Sequence, residues 1–237
     1  MKLIILILSI FDYINKKKIL NFFKLRLSYI YTIIDVGGHK GETFDLFDKN
    51  FKIENYYAFE ASPINFKFLE KKKIKANKKN FKVFNNAVGD NVNEVDFYQL
   101  DESSSSTLNE INENSNYYKK KNFLINFLSF KKPKTIKFKV KPILLSEFIK
   151  SNNITKVEIL KIDTEGYEYR VIKGLKDKIS MIDYIYFEHH YDDMIKKGYT
   201  YSMIHSYLKK NGFEKIFKLK MFFRKSFEYV YKNTNLN

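Results

Sequence analysis

Residues 33–47 read IIDVGGHKGETFDLF. An apolar run ends on an acid, glycines follow at 37, 38 and 41, and a helical pattern begins at Glu42. A strand that turns through glycines into a helix is the first βα unit of a nucleotide-binding half. Glycine lets the backbone run close beneath a ligand. The dinucleotide fingerprint G-x-G-x-x-G would need glycine where Val36 stands. The pattern D-x-G-x-x-x-G is complete in Asp35, Gly37 and Gly41.

Working outward, strand-like and helix-like runs alternate. Residues 29–36 read as a strand and 42–49 as its helix. A second strand spans 55–60, and Pro63 suits the opening of a helix through 72. A third strand runs 81–87. The order then breaks: 94–100 and 135–140 alternate as strands around a polar stretch, so 101–134 reads as an insertion or lid after the third strand. Alternation resumes with helix 145–151, strand 157–163, helix 167–175, strand 184–188 and helix 201–210. Runs 214–219 and 227–231 have no helix between them and predict an antiparallel hairpin. The expected fold is α/β with a mostly parallel sheet. One domain over 29–237 follows an apolar and basic helical segment over 1–28.

Composition narrows the function classes. There is no cysteine, which excludes disulfides, thiolate metal sites and a cysteine nucleophile, and suits a cytoplasmic, reducing compartment. The net charge is +16, a balance compatible with nucleic acid or an anionic membrane. Yet only Arg26, Arg170 and Arg224 are arginine, and base readout leans on arginine's planar fork. Nucleic acid is therefore disfavoured as a partner. The opening run MKLIILILSIF is too short to span a bilayer, which takes about 20 residues. It also lacks a small-x-small cleavage site and reads as a packed segment. The stretch KKKILNFFKLRLS (16–28) could give weak contact with the inner face of a membrane.

The acid that partners the glycine turn is Glu60, in YYAFEASP, 19 residues past Gly41. A carboxylate at that strand end can take both ribose hydroxyls of a nucleoside; as a structural residue it would cap the helix at Pro63. D-x-G-x-x-x-G resembles the first motif of S-adenosylmethionine-dependent methyltransferases. That cofactor has no phosphate, and its ammonium and sulfonium suit an acid at Asp35. The candidate cofactor set is Asp35, Gly37, Gly38, Gly41, Glu60, Ala61, Asn86, Ala87, Val88 and Asp163. Asn86 to Val88 close the third strand, where the adenine lies in such folds.

The most specific stretch is LKIDTEGYEYRVIKGL (160–175). A buried strand delivers Asp163, and Glu165-Gly166 leads into a helix. Acids there can cap the helix as well as act in catalysis. K-I-D-T-E-G-Y-E followed by V-I-K-G resembles the signature of FkbM-type methyltransferases. DVGGHKGET, FEASP, NAVGD, SSSSTL and IYFEHH agree with it, over about residues 30–220. Gly38-His39-Lys40 and Thr164 depart from the common pattern. The resemblance implies a class I, Rossmann-like methyltransferase fold with a seven-stranded sheet, S-adenosylmethionine as cofactor, and methylation of a hydroxyl, often on a sugar or secondary metabolite.

Methyl transfer to an alcohol needs a group to take its proton. Asp163 is the first candidate by its place at the strand edge, with Glu165, Glu188 and His190 next. The same four could hold Mg²⁺ through hard ligands, although their spacing fixes no geometry. The serine cluster 103–106 is either a lid or acceptor contact or a solvated linker. The expected acceptor is a small molecule or glycan. The rival readings are a nucleic-acid methyltransferase and a non-catalytic binding protein on the same fold.

Overall fold

The computed structural model describes residues 14–100, 103–120, 123, 135–222 and 224–236. The apolar run 1–13 and most of the lysine-rich 121–134 lie outside the described residues. Strand β1 (Tyr29–Val36) is buried from Thr32 onward, because it is paired on both edges. β2 (Lys52–Phe59) lies parallel on one side and β6 (Val157–Ile162) parallel on the other. β6 is buried along its whole length in the middle of the sheet, and carries the charged Glu158 and Lys161 inside with its apolar residues. β3 (Phe81–Phe84), β7 (Ile182–His190), β8 (Phe213–Lys220) and β9 (Ser226–Asn233) complete seven strands in the order β3-β2-β1-β6-β7-β9-β8. β9 is antiparallel between β7 and β8, which is the expected C-terminal hairpin. The order reverses between β1 and β6, and such a switch point opens a crevice at the carboxyl ends of the strands.

Helices cover both faces. α1 (14–24), α2 (Glu42–Asp48) and α3 (Pro63–Ala76) bury Phe22, Phe23, Phe44, Phe47 and Leu69 against one face. α5 (Leu145–Ser151), α6 (Glu168–Lys173) and α7 (Tyr201–Lys210) bury Phe148, Val171, Ile172, Ile204 and Leu208 against the other. β4 (Val95–Leu100) and β5 (Thr135–Val140) form a separate antiparallel pair on either side of residues 101–134, which carry a short helix α4 (116–120).

Several bounds differ from the sequence reading: β2 begins at Lys52 and α3 runs on to Ala76, and three further differences have a packing reason. The third strand stops at Phe84, because Ala87 and Gly89 give their backbone to Ile143 instead. The helix expected over 167–175 ends at Lys173, with a 3-10 turn over Lys176–Met181. There a Cβ on Gly174 would stand 2.0 Å from the Gly89 oxygen, so the loop after β3 presses on the helix end. β7 runs from Ile182, where β6 pairs with it at Val157, to His190, where β9 pairs with it at Ser226.

The N-terminal helix spends its apolar face on the sheet. Phe23 is fully buried and meets the rings of Phe47, Tyr184 and Tyr186 at 5.8–6.0 Å. Among the described residues no helix is long and apolar enough to cross a membrane. Phe23→Ala should cost ~3–5 kcal/mol, as loss of a buried aromatic does. Urea unfolding measures it, and an unchanged midpoint would show that α1 is not part of the folded body.

Candidate active site

The glycine turn is shaped first by the protein itself. Gly37 adopts φ +86°, and a Cβ there would lie 1.9 Å from the Asp163 carbonyl oxygen. The turn therefore packs directly on the end of β6. Gly37 and Gly38 both donate to the Phe59 oxygen at 2.9 Å, and Asp163 donates to the Val36 oxygen at 2.9 Å. Gly41, at φ +85°, precedes α2. The ends of β2, β1 and β6 are thus joined side by side.

Glu60 sits at the end of β2. Its Oε2 accepts from the His39 amide and its Oε1 from the Ser62 amide, both at 2.8 Å. Burial pushes its carboxyl above the usual range, and these two donors oppose the shift. The Asn65 side chain also stabilises the charged carboxylate. Ala61 follows at the edge. Asn86 is half-buried, while Ala87 and Val88 are buried, Val88 within the first core cluster.

Asp35, expected to face the cationic end of a ligand, is fully buried. Tyr56 donates to its Oδ2 at 2.8 Å, and Lys161 Nζ lies 3.3 Å from its Oδ1. Burial raises its carboxyl against the pull of Lys161 and Tyr56. Lys161 is also 3.3 Å from Asp163 Oδ2. Burial opposes the Lys161 charge, but the two acids outweigh it and raise its pKa. The side chain of Asp163 is 38% exposed, against 1% for Asp35. Asp163 is therefore the acid of this pair that faces outward. Burial opposes its charge, yet Lys161 and His190 hold its carboxyl below the ordinary value.

Lys161 was missed by the sequence reading, although a signal was there. It is a lysine inside ILKI, a run otherwise apolar and destined for a central strand.

His190 ends β7 among acids. Its Nε2 lies 3.3 Å from Glu165 Oε2 and 3.5 Å from Glu188 Oε1, and its Nδ1 lies 3.5 Å from Asp192 Oδ2. Burial disfavours the charge, but Glu165, Asp192 and Glu188 push the imidazole up to about 10. At neutral pH it is a cation, which donates and cannot take a proton. A proton-accepting role for His190 would need the imidazole neutral, which these three acids oppose. His189 points to the opposite face, and burial holds it neutral, down at about 4. Glu188 Oε1 accepts from Ser226 at 2.5 Å. Glu228 faces Glu188 across the β7–β9 ladder, and burial together with that acid pushes it up to about 8.

Asp163, Glu165, Glu188 and His190 thus gather on one edge. Among the described residues no three acids or histidines are placed to hold a metal ion. Surface hollows of about 400 Å³ beside α7 and about 370 Å³ outside residues 110–114 include neither Glu60 nor Asp163.

The model of the methyltransferase FkbM domain matches residues 35–215. Among curated proteins, none matches the chain. Solved structures are similar in fold. The methyltransferase FkbM of Methylobacillus flagellatus KT has a TM-score of 0.56 at 14% identity. The match covers 87% of this chain and 44% of that one, so the chain spans under half of that relative. TrmK of M. capricolum, in complex with S-adenosyl-homocysteine, has a TM-score of 0.51 at 10% identity, covering 91% and 67%. Magnesium protoporphyrin IX methyltransferase from Synechocystis PCC 6803, with bound SAM, has 0.51 at 8%, covering 95% and 81%.

The His190 charge has a measurable consequence. The folded state keeps the proton to about pH 10, whereas an unfolded histidine releases it near ~6.5. The ion pairs therefore stabilise fully below about pH 6.5, and that contribution is lost as pH rises towards 10. Wild type should lose stability relative to His190→Gln across that window. NMR of the His190 ring should show imidazolium at about pH 8; a midpoint near the ordinary value would contradict the assignment.

Proposed function

The chain belongs to the FkbM methyltransferase family, and from that premise we propose an S-adenosylmethionine-dependent O-methyltransferase acting on a hydroxyl of a sugar or glycan. The observation that carries the donor half is Glu60, a buried strand-end carboxylate held in place by the His39 and Ser62 amides beside the glycine turn. When bound, S-adenosylmethionine supplies an electrophilic methyl group on a cationic sulfur.

In this reading Glu60 takes the ribose hydroxyls. Gly37, Gly38 and Gly41 form the floor, and Ala61 and Asn86 to Val88 flank the adenine. Asp163 is the outward acid for the cationic end, and Asp35 acts through Lys161 to hold it. A hydroxyl acceptor loses its proton as the new bond to carbon forms. Asp163 and Glu165 are the acids we place to receive it. His190 lies 3.3 Å from Glu165 and 3.5 Å from Glu188 and pairs with both.

Charge supports a neutral, hydroxylated acceptor. Glu60, Asp163, Glu165, Glu188 and Asp192 lie along this edge, whereas lysines crowd α3 and β8. A polyanionic strand would bring phosphates against carboxylates. The +16 balance is the observation that favours nucleic acid, and RNA binding that falls steeply with salt would redirect the reading.

Glu60→Ala should weaken S-adenosylhomocysteine roughly 10- to 100-fold, the worth of a hydrogen bond to a charged group. Calorimetry with unchanged affinity for Glu60→Ala and Asp163→Asn would sink the donor assignment. The acceptor is tested by mass spectrometry of host surface glycans with and without the protein, where one methyl group is the expected difference.

A further inference from the structure

Residues 103–115 cross the reactive edge as a strap. On the β2 side, His39 Nε2 lies 2.8 Å from Ser103 Oγ, and Asn65 Nδ2 donates to the Ser103 oxygen at 3.3 Å. Ser106 Oγ accepts from the Leu100 amide at 3.1 Å and from Gln99 Nε2 at 2.9 Å. In the middle, Thr107 Oγ1 donates to the Glu165 oxygen at 2.7 Å, and Asn109 Nδ2 donates to the Gly166 oxygen at 2.5 Å. On the β7 side, Ile111 forms a bridge with Ile195, and the Asn112 amide donates to the Met194 oxygen at 2.8 Å. Ser115 Oγ donates to Asp193 Oδ1 at 2.6 Å.

The strap does two things at once. It spans the ends of β2, β6 and β7, where Glu60, Asp163 and His190 stand. It also grips a turn that needs holding. Glu165 has φ +50° and Gly166 φ +94°. A left-handed conformation is costly for a residue with a side chain, and persists where its surroundings fix it. Both carbonyl oxygens of that turn are taken by strap side chains, and the Glu165 carboxylate lies beside His190.

We propose that residues 103–115 are a lid that opens to admit S-adenosylmethionine and, on closing, sets the Glu165–Gly166 turn, with Thr107 and Asn109 as positioning residues. The proposal rests on the donor assignment made above. Closure then does more than exclude water. It completes the acid edge only when the donor is covered, a form of induced fit.

The absence of cysteine gives a direct test. Ile111 and Ile195 face each other across an antiparallel bridge, a spacing a disulfide can close. The reduced Ile111→Cys/Ile195→Cys protein should bind and release S-adenosylhomocysteine. Oxidation should abolish association, and should trap S-adenosylhomocysteine loaded beforehand until reductant is added. An oxidised protein that exchanges this ligand as fast as the reduced one overturns the lid. Hydrogen exchange on wild type stands independently of that variant. The amides of Asn112 and Lys196, which pin the strap, should exchange together and faster than those of β1, and slow when S-adenosylhomocysteine binds. Exchange as slow as β1 without ligand overturns the lid. Joint opening in a protein that binds no S-adenosylhomocysteine instead removes the donor assignment and the ligand named here. Asn109→Ala reads the positioning role: it should lower the His190 ring titration from about 10 as Glu165 moves away. An unchanged titration overturns that role.

Discussion

A lysine buried in the middle of the sheet constrains the rest. Lys161 is only 7% exposed, and a charge so placed needs partners. Asp35 is its register partner on β1, and Asp163 follows two residues on along β6. Slipping β6 by one residue against β1 would send Lys161 into the apolar cluster beneath α5 and α6, and turn Leu160 the other way. The ion pair therefore specifies the β1–β6 register. That junction is where the strand order reverses, so the pair also fixes where the crevice forms. Gly37 adds a steric condition, because only a residue without Cβ lets the turn lie on the Asp163 carbonyl.

From that centre the charges alternate along the edge. Tyr56, Asp35, Lys161, Asp163, then His190 among Glu165, Glu188 and Asp192, form a chain of opposed partners. Lys161 and His190 hold Asp163 below its ordinary value, and His190 does the same for Asp192. Asp35 thus serves the site without facing it: its carboxylate is spent on Lys161 and Tyr56. The acid that reads from sequence as the ligand's partner is the support of another acid.

Much of the fold was legible because period and turn chemistry agreed with the tertiary structure. β1, β5, α5 and α7 have the bounds that alternation and helical spacing give, and the hairpin of β8 and β9 follows from two strands with no helix between. The glycine turn, Glu60 and the KIDTEG stretch pointed to one edge, and the structure brings them there. What stayed hidden depends on contacts that leave no local pattern. Gly89 against Gly174 ends a helix from 85 residues away. His190 reads as a base until its three acids are seen around it. The serine cluster 103–106 reads equally as lid or linker from sequence, and the partners of Ser103 and Thr107 on His39 and Glu165 leave no local pattern.

A doubly wound sheet offers its crevice to solvent unless something crosses it. Residues 103–115 follow the third strand and reach Gly166 and Met194 by hydrogen bonds before the chain returns for β6. Their polar composition follows from that path. Thr107 and Asn109 side chains satisfy backbone oxygens of the turn after β6, and Asn65 on α3 satisfies the Ser103 oxygen in return. A polar insertion over such an edge is therefore no less structural than an apolar one. It is held by hydrogen bonds to turns rather than by burial, and a segment held that way can release without unfolding the sheet below.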